Sequence, residues 1–368
     1  MSSIPEPKTL TYSFVDDLEI KLDLYVPPDA QGALPAIVYF HGGGLAIGNR
    51  EIKEYHSTWI LGPLVIPYFS GTALTFFSVE MTIANGMIFI SPDYRKLLPC
   101  TVYDEIADIE KLYEFLASDV NSHLPEEVTL DMSRIAIAGI SAGAYLGRLA
   151  SLYAESRPCA LFSLYGMGGD WLLDHWVNEK EGQMEFLKFR VLQEDVAHLE
   201  TAKPIADVPW KINSDTNKME DPYGRFNLLP WWWQNGEYID QLLGERGLSK
   251  TLRSLPYAER ASAVPSDISK IFPQLHIDAK FPPTFFIHGD QDTLVPLSES
   301  THMYQQLQSL EVRTELHIVE GAEHGLVMKD PKPETAAEIK GMFEQAFQFM
   351  LKELGGADAA RSSSSELV

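Results

Sequence analysis

Three kinds of side chain that together activate a serine are spread along this 368-residue chain: Ser141 within Gly139-Ile140-Ser141-Ala142-Gly143, the carboxylates Asp290 and Asp292, and His324. A serine hydroxyl is a poor nucleophile until a base takes its proton, and the base must itself be held in one tautomer by a carboxylate. Ser141 follows the β-branched run Arg134-Ile135-Ala136-Ile137-Ala138 and opens a helix-like stretch, 144–156. That placing matters more than the pentapeptide. Between a strand and a helix, G-x-S-x-G describes a sharp turn that lifts the hydroxyl clear of the backbone, and a Cβ at either glycine would collide at the bend. As a bare pattern it reads equally as an ordinary glycine-rich βα turn. A second glycine cluster, His41-Gly42-Gly43-Gly44, ends the apolar run 36–40. Such glycines let main-chain N–H groups turn toward a ligand. The spacing fits neither of the common phosphate-binding glycine patterns. The other reading is an oxyanion hole, whose donors face the point where charge develops as a carbonyl becomes tetrahedral.

The elements that must position these residues follow in order. Residues 9–15 and 19–26 alternate around Asp16-Asp17, as in an antiparallel hairpin with one solvated face. The continuous apolar runs 36–40 and 87–91 suit strands buried on both faces. Over 103–120, Ile106, Ile109, Leu112, Tyr113 and Leu116 share one face of an amphipathic helix. Strand 134–138, helix 144–156 and strand 160–165 complete an alternation that implies a parallel sheet covered by helices on both faces. The rhythm breaks over 166–281, which is rich in tryptophan and too long for a bare connection. It is expected to be an inserted, largely helical cap, with helical pieces over 184–199 and 234–243. Its tryptophans are individually read as core before ligand contacts. Strand 284–287, helix 298–310, strand 314–319 and a last helix over 333–354 resume the sheet. The organisation expected is a core of 1–165 and 282–354, a cap of 166–281, and a disordered tail of 355–368 containing Ser362-Ser363-Ser364-Ser365.

Composition excludes some classes. The 45% hydrophobic content supports a sizeable core, and a formal charge of −23 repels polyanions, so no nucleic-acid partner is expected. The first residues lack the pattern of a secretory signal, and Cys100 and Cys159 are too few for a disulfide framework. Both point to a reducing, cytoplasmic setting, with the cysteines as small core residues. No Asp, Glu, Lys or Arg occurs from Tyr55 to Val79. Prolines, glycines and a position between two strands of one sheet argue against a membrane span there. An apolar insertion near the site mouth, or a peripheral membrane contact through 59–79, fits better. The flanks would also join naturally without it.

Ser, Asp and His, each after a strand and in that chain order, match the α/β-hydrolase arrangement. From Pro35 to about Leu354 the chain resembles the hormone-sensitive-lipase-like (α/β-hydrolase fold-3) esterases of fungal type, which carry the HGGG loop, the GxSxG elbow and an internal cap. The stretch 288–296 is similar to that of dienelactone hydrolases and prolyl-oligopeptidase relatives. The resemblance implies Ser141 as nucleophile, His324 as general acid and base, and Asp292 as the carboxylate that orients it, with Asp290 as a turn-stabilising residue. It implies an oxyanion hole made of the N–H groups of Gly43, Gly44 and Ala142, a bracing role for His41, and a structural role for Asp93-Tyr94-Arg95. The activity implied is cofactor-free and metal-free hydrolysis of a small, largely apolar carboxylic ester through an acyl-enzyme, with acyl transfer as a variant. A peptidase or amidase of the same fold, and a non-catalytic ligand-binding protein, are the alternatives. Substrate-binding residues and oligomeric state are not legible.

Overall fold

The computed structural model describes residues 5–51, 79–181, 190–213, 218–328 and 332–355. The apolar stretch up to Ser78 and the tail beyond Gly355 lie outside the described residues, as does part of 184–199.

The hairpin forms from β1 (Lys8–Val15) and β2 (Leu18–Tyr25), which pair antiparallel around a turn in which Asp16 takes a positive φ of 50°. The remaining strand runs become β3 (Gly32–Phe40), β4 (Ile88–Pro92), β5 (Val128–Ile140), β6 (Ala160–Leu164), β9 (Thr284–Gly289) and the partly exposed edge strand β10 (Thr314–Val319). A short antiparallel pair, β7 (Lys211–Asn213) with β8 (Lys218–Glu220), lies between β6 and β9. Among the described residues the main sheet has eight strands in the order β1-β2-β4-β3-β5-β6-β9-β10. β2 runs antiparallel to β1 and β4, and every pairing from β4 through β10 is parallel. The mostly parallel sheet implied by the alternation is present.

Strand side chains alternate between two cores, as the period of two requires. Ala36, Val38, Phe40, Ile135 and Ile137 face one core, whereas Ile37, Ala136 and Ala138 face the other. The first is covered by α2 (Val102–Ser118), α3 (Ala142–Tyr153) and α10 (Ser298–Ser309). The second is covered by α1 (Val79–Ala84) and α11 (Pro333–Glu353). The apolar stripe of α11 recurs at helical spacing, with Ile339, Met342, Phe343, Phe347 and Met350 buried. Burying a side chain of this size contributes about 1.5–3 kcal/mol relative to exposure, so the stripe fixes the helix against the sheet.

Two expectations needed revision. β5 starts six residues earlier than its apolar run, because Gly32–Leu34 of β3 pairs with Val128–Leu130 before a register shift. The polar residues at that shift hid the strand: Asp131 accepts from the Ser133 N–H and from Arg134 and organises the irregularity itself. Between β6 and β9, a continuous helix over 234–243 is replaced by α6 (Leu228–Gln234) and α7 (Tyr238–Leu243), broken at Gly236 with φ 60°. The Trp231-Trp232-Trp233 triplet is therefore helical, and Pro230 is tolerated because it sits in the first turn, where no intrahelical N–H partner is lost. In 184–199 the described helical residues are α5 (Gln193–Val196) and one further turn, Ala197–Leu199. The same region carries α4 (Asp174–Val177), α8 (Leu248–Arg253) and α9 (Tyr257–Ala263). Trp171, Trp176, Trp232 and Trp233 are all buried, and Tyr238 packs against the first three of them.

Candidate active site

β5 passes into α3 at Ser141, whose φ of 53° and ψ of −120° put it in a region that costs an L-residue about 1–3 kcal/mol. Three main-chain hydrogen bonds hold it there: Ser141 N–H donates to Leu164 O at 3.0 Å, and Ser141 O accepts from Ala144 N–H at 3.1 Å and Met167 N–H at 3.0 Å. The flanking glycines are required by close approach. A Cβ at Gly143 would overlap the Phe40 carbonyl, and one at Gly139 would overlap the Ala144 backbone.

His324 stands in the turn after β10, with its Nδ1 2.7 Å from Asp292 Oδ2 and its Nε2 3.1 Å from Ser141 Oγ. A carboxylate only accepts, so Nδ1 carries the proton and Nε2 offers its lone pair to the serine hydroxyl. The ring packs edge-on against Tyr165, 4.8 Å between centroids. Asp292 Oδ1 accepts from the N–H groups of Leu294 and Val295 at 3.0 and 2.8 Å. Burial alone would raise the Asp292 pKa, but the charge of His324 and hydrogen bonds from His288 and His324 hold it well below the usual carboxylate range. Asp292 is thus a permanent anion facing the far side of His324.

Asp290 is not in this line. Its Oδ1 accepts the Gly321 N–H at 2.7 Å and so ties the turn after β9 to the turn after β10. Its stabilising role spans two turns, whereas the sequence suggested a local one.

The HGGG loop packs directly on the serine: a Cβ on Gly42 would lie 3.3 Å from Ser141 Cβ. Among the described residues no main-chain acceptor takes the N–H of Gly43 or Gly44. Ala142, the first residue of α3, likewise has no carbonyl one turn behind it. His41 is buried and its Nδ1 lies 2.6 Å from Gly42 O, a contact that braces the loop. Asp93 accepts from Arg50, Tyr94 Oη–H donates to His41 O at 2.9 Å, and Arg95 is paired with Asp104 and Asp108.

Sequence reasoning missed four contributors. Leu229 of α6 lies over Gly44, and Tyr238 of α7 donates its hydroxyl to Gly44 O at 2.6 Å. His175 of α4 contacts Leu294 O at 2.9 Å, and burial, with the charge of Lys180, drives its pKa down to about 3. His288 lies 3.3 Å from Asp292 Oδ2 and 2.8 Å from Ser300 Oγ. Only His288 had a local signal, standing four residues before Asp292. Ile140 packs at the margin of the second core. Among the described residues no cluster of three or more His, Cys, Asp or Glu side chains is arranged to hold a metal ion, and no helix is long and apolar enough to cross a membrane. Cys100 is buried and Cys159 half-buried, both as free thiols.

Residues 70–307, well over half of the chain, match the BD-FAE family model. The chain belongs to the BD-FAE family. Residues 269–354 of this BD-FAE protein also match the dienelactone hydrolase family, in agreement with the likeness of 288–296. Ser141 and Asp292 fall in the first match, Asp292 and His324 in the second. The chain is 24% identical over 338 residues to the non-reducing polyketide synthase atr1 of Stereocaulon alpinum, which takes in 86% of this chain but 12% of the synthase. It therefore spans about an eighth of that relative's length. It is 26% identical over 162 residues to the probable carboxylesterase M8 of Phoma sp., covering 42% of this chain and 45% of that one. Among solved structures, butyrate-bound Est2, a thermophilic esterase of Thermogutta terrifontis, superposes with a TM-score of 0.54 at 20% identity over 96% of each chain. The shared fold is that of the α/β-hydrolases.

Proposed function

We propose that this chain is a carboxylic ester hydrolase in which Ser141 is the nucleophile, His324 the general acid and base, and Asp292 the residue that orients His324. The observation that carries the reading is the continuous line Ser141 Oγ, His324 Nε2, His324 Nδ1, Asp292 Oδ2, with spacings of 3.1 and 2.7 Å. His324 accepts the hydroxyl proton as Oγ attacks the ester carbonyl. The tetrahedral oxyanion is met by the N–H groups of Gly43, Gly44 and Ala142. His324 then returns the proton to the leaving alcohol, and water repeats the sequence on the acyl-enzyme. Residues 166–281 act as a cap that supplies Leu229 beside Gly44 and favours a small, largely apolar acyl or alcohol group. The names of the carboxylesterase and esterase relatives support the same class.

A second reading keeps the mechanism and changes the leaving group. A serine line of this kind attacks an activated acyl carbonyl whatever group leaves it, so an acyl thioester is the alternative donor, released to water or passed to another alcohol. Parallel assays with p-nitrophenyl butyrate and the butyryl thioester of N-acetylcysteamine decide between them. Ester turnover at least tenfold above thioester turnover supports the first reading, and the reverse order supports the second.

A further inference from the structure

Lys96 takes no part in the chemistry above, yet it is completely buried. Its Nζ lies 3.1 Å from His41 Nε2 and 2.9 Å from Tyr94 O, and 3.5 Å from the centre of the Tyr94 ring. The Tyr94 ring in turn stacks on His41, 4.4 Å between centroids at 17°. At its other nitrogen His41 meets Gly42 O at 2.6 Å. A carbonyl only accepts, so Nδ1 must carry the proton, and Nε2 is left as an acceptor for a Lys96 N–H. The carbonyl demands this tautomer, and a Lys96 N–H donated to Nε2 reinforces it.

The consequence reaches the oxyanion hole through peptide planarity. The C=O and N–H of one trans peptide point in opposite directions. Fixing Gly42 O on His41 therefore fixes where Gly43 N–H points. The next peptide is held by the same logic and a different anchor: Gly43 O accepts from Ala46 N–H and Ile47 N–H at 3.1 Å each, which sets the Gly44 N–H. Local turn geometry aims one donor, and a side-chain relay aims the other. Space is kept for that relay at Gly48, where a Cβ would overlap both His41 Nδ1 and Gly42 O.

We propose that Lys96 is a positioning residue for the oxyanion hole, holding His41 in the tautomer that fixes the Gly42–Gly43 peptide and aims the Gly43 N–H at the developing oxyanion. This rests on the ester-hydrolase reading above. A lysine is a costly space-filler here, because burial drives its pKa down to about 7 against the opposing influence of Asp93 and Glu105. An aliphatic side chain would fill the same volume without that cost.

The test compares the full chain with Lys96→Met, which keeps the stem and removes the donor. The expected result is a kcat for p-nitrophenyl butyrate lowered about tenfold to a hundredfold, with KM changed by less than about threefold. Affinity for a trifluoromethyl ketone, which forms a tetrahedral adduct, should fall by the same factor as kcat/KM. Unchanged kcat and inhibitor affinity in a folded variant overturn the proposal. An independent readout needs no substitution at Lys96: nitrogen NMR of histidine-labelled wild type, with the His41 signals assigned by their loss in His41→Asn, should show His41 protonated at Nδ1 and bare at Nε2. A His41 protonated at Nε2 overturns the proposal. A wild type that neither hydrolyses esters nor reacts with a fluorophosphonate refutes the ester-hydrolase reading instead, and the tautomer still decides the relay.

Discussion

The two halves of the site are held in different ways. The acid–base half is anchored close to its own strands: Asp292 is fixed by the N–H groups of Leu294 and Val295, and Asp290 ties the turn after β9 to that after β10. The oxyanion half combines its own turn, closed by Ala46 and Ile47 N–H on Gly43 O, with partners from afar. Its loop takes Tyr238 on Gly44 O, Arg225 on Ala46 O, a main-chain pair between Gly48 and Val208, and Lys96 on His41. Side-chain chemistry can be placed by the strand that carries it. The two donors of the loop belong to glycines that have no side chain to pack, so partners outside those residues must set their direction.

Substitutions break this contrast to different degrees. Ser141→Ala removes the nucleophile and is expected to lower kcat/KM by about 10⁴-fold or more, measured by ester hydrolysis. Asp292→Asn leaves a neutral amide facing His324 and favours the wrong tautomer, with an expected loss of about 10³–10⁴-fold in kcat. Asp290→Asn should stay within about threefold of wild-type activity and cost about 1 kcal/mol of stability, since one hydrogen bond to Gly321 is weakened. A larger activity loss for Asp290→Asn than for Asp292→Asn would reverse the assignment. On the oxyanion side, Tyr238→Phe frees the Gly44 carbonyl. The account predicts a severalfold fall in kcat at nearly constant KM and about 1 kcal/mol less stability by denaturant titration.

The smallest effect is one of pH and separates folding from catalysis at Lys96. The folded chain releases the Lys96 proton near pH 7, whereas the unfolded chain keeps it to about pH 10.5. Between these values the unfolded state binds more protons, so the Lys96 contribution makes stability rise with pH. The groups that act on its charge are His41, Asp93, Glu105, Asp108 and Asp207. Chemical denaturation at pH 7 and pH 9 should show a wild-type gain that is smaller or absent in Lys96→Met.

How much of this was legible follows the same division. The buried strands, α2, α10 and α11 announced themselves through apolar runs and helical periodicity, and Ser141, Asp292 and His324 through motifs at strand ends. β5 was underestimated because Asp131 and its neighbours interrupt the pattern where the strand shifts register. Tyr238 and Leu229 carried no signal, because each acts on the HGGG loop from nearly two hundred residues away in sequence and nothing in its neighbourhood marks the contact. Lys96 was hidden by its own type: a lysine beside an Asp-Tyr-Arg segment looks like surface, and only burial against His41 reveals otherwise.

The central claim is that Ser141 is the activated nucleophile. Its most direct measurement is reaction with a fluorophosphonate probe, followed by intact-mass analysis and peptide mapping of wild type and Ser141→Ala. The account predicts one adduct per wild-type chain, located on Ser141, and none on the variant. An adduct that persists in Ser141→Ala, or that maps to another residue in the wild type, would contradict it.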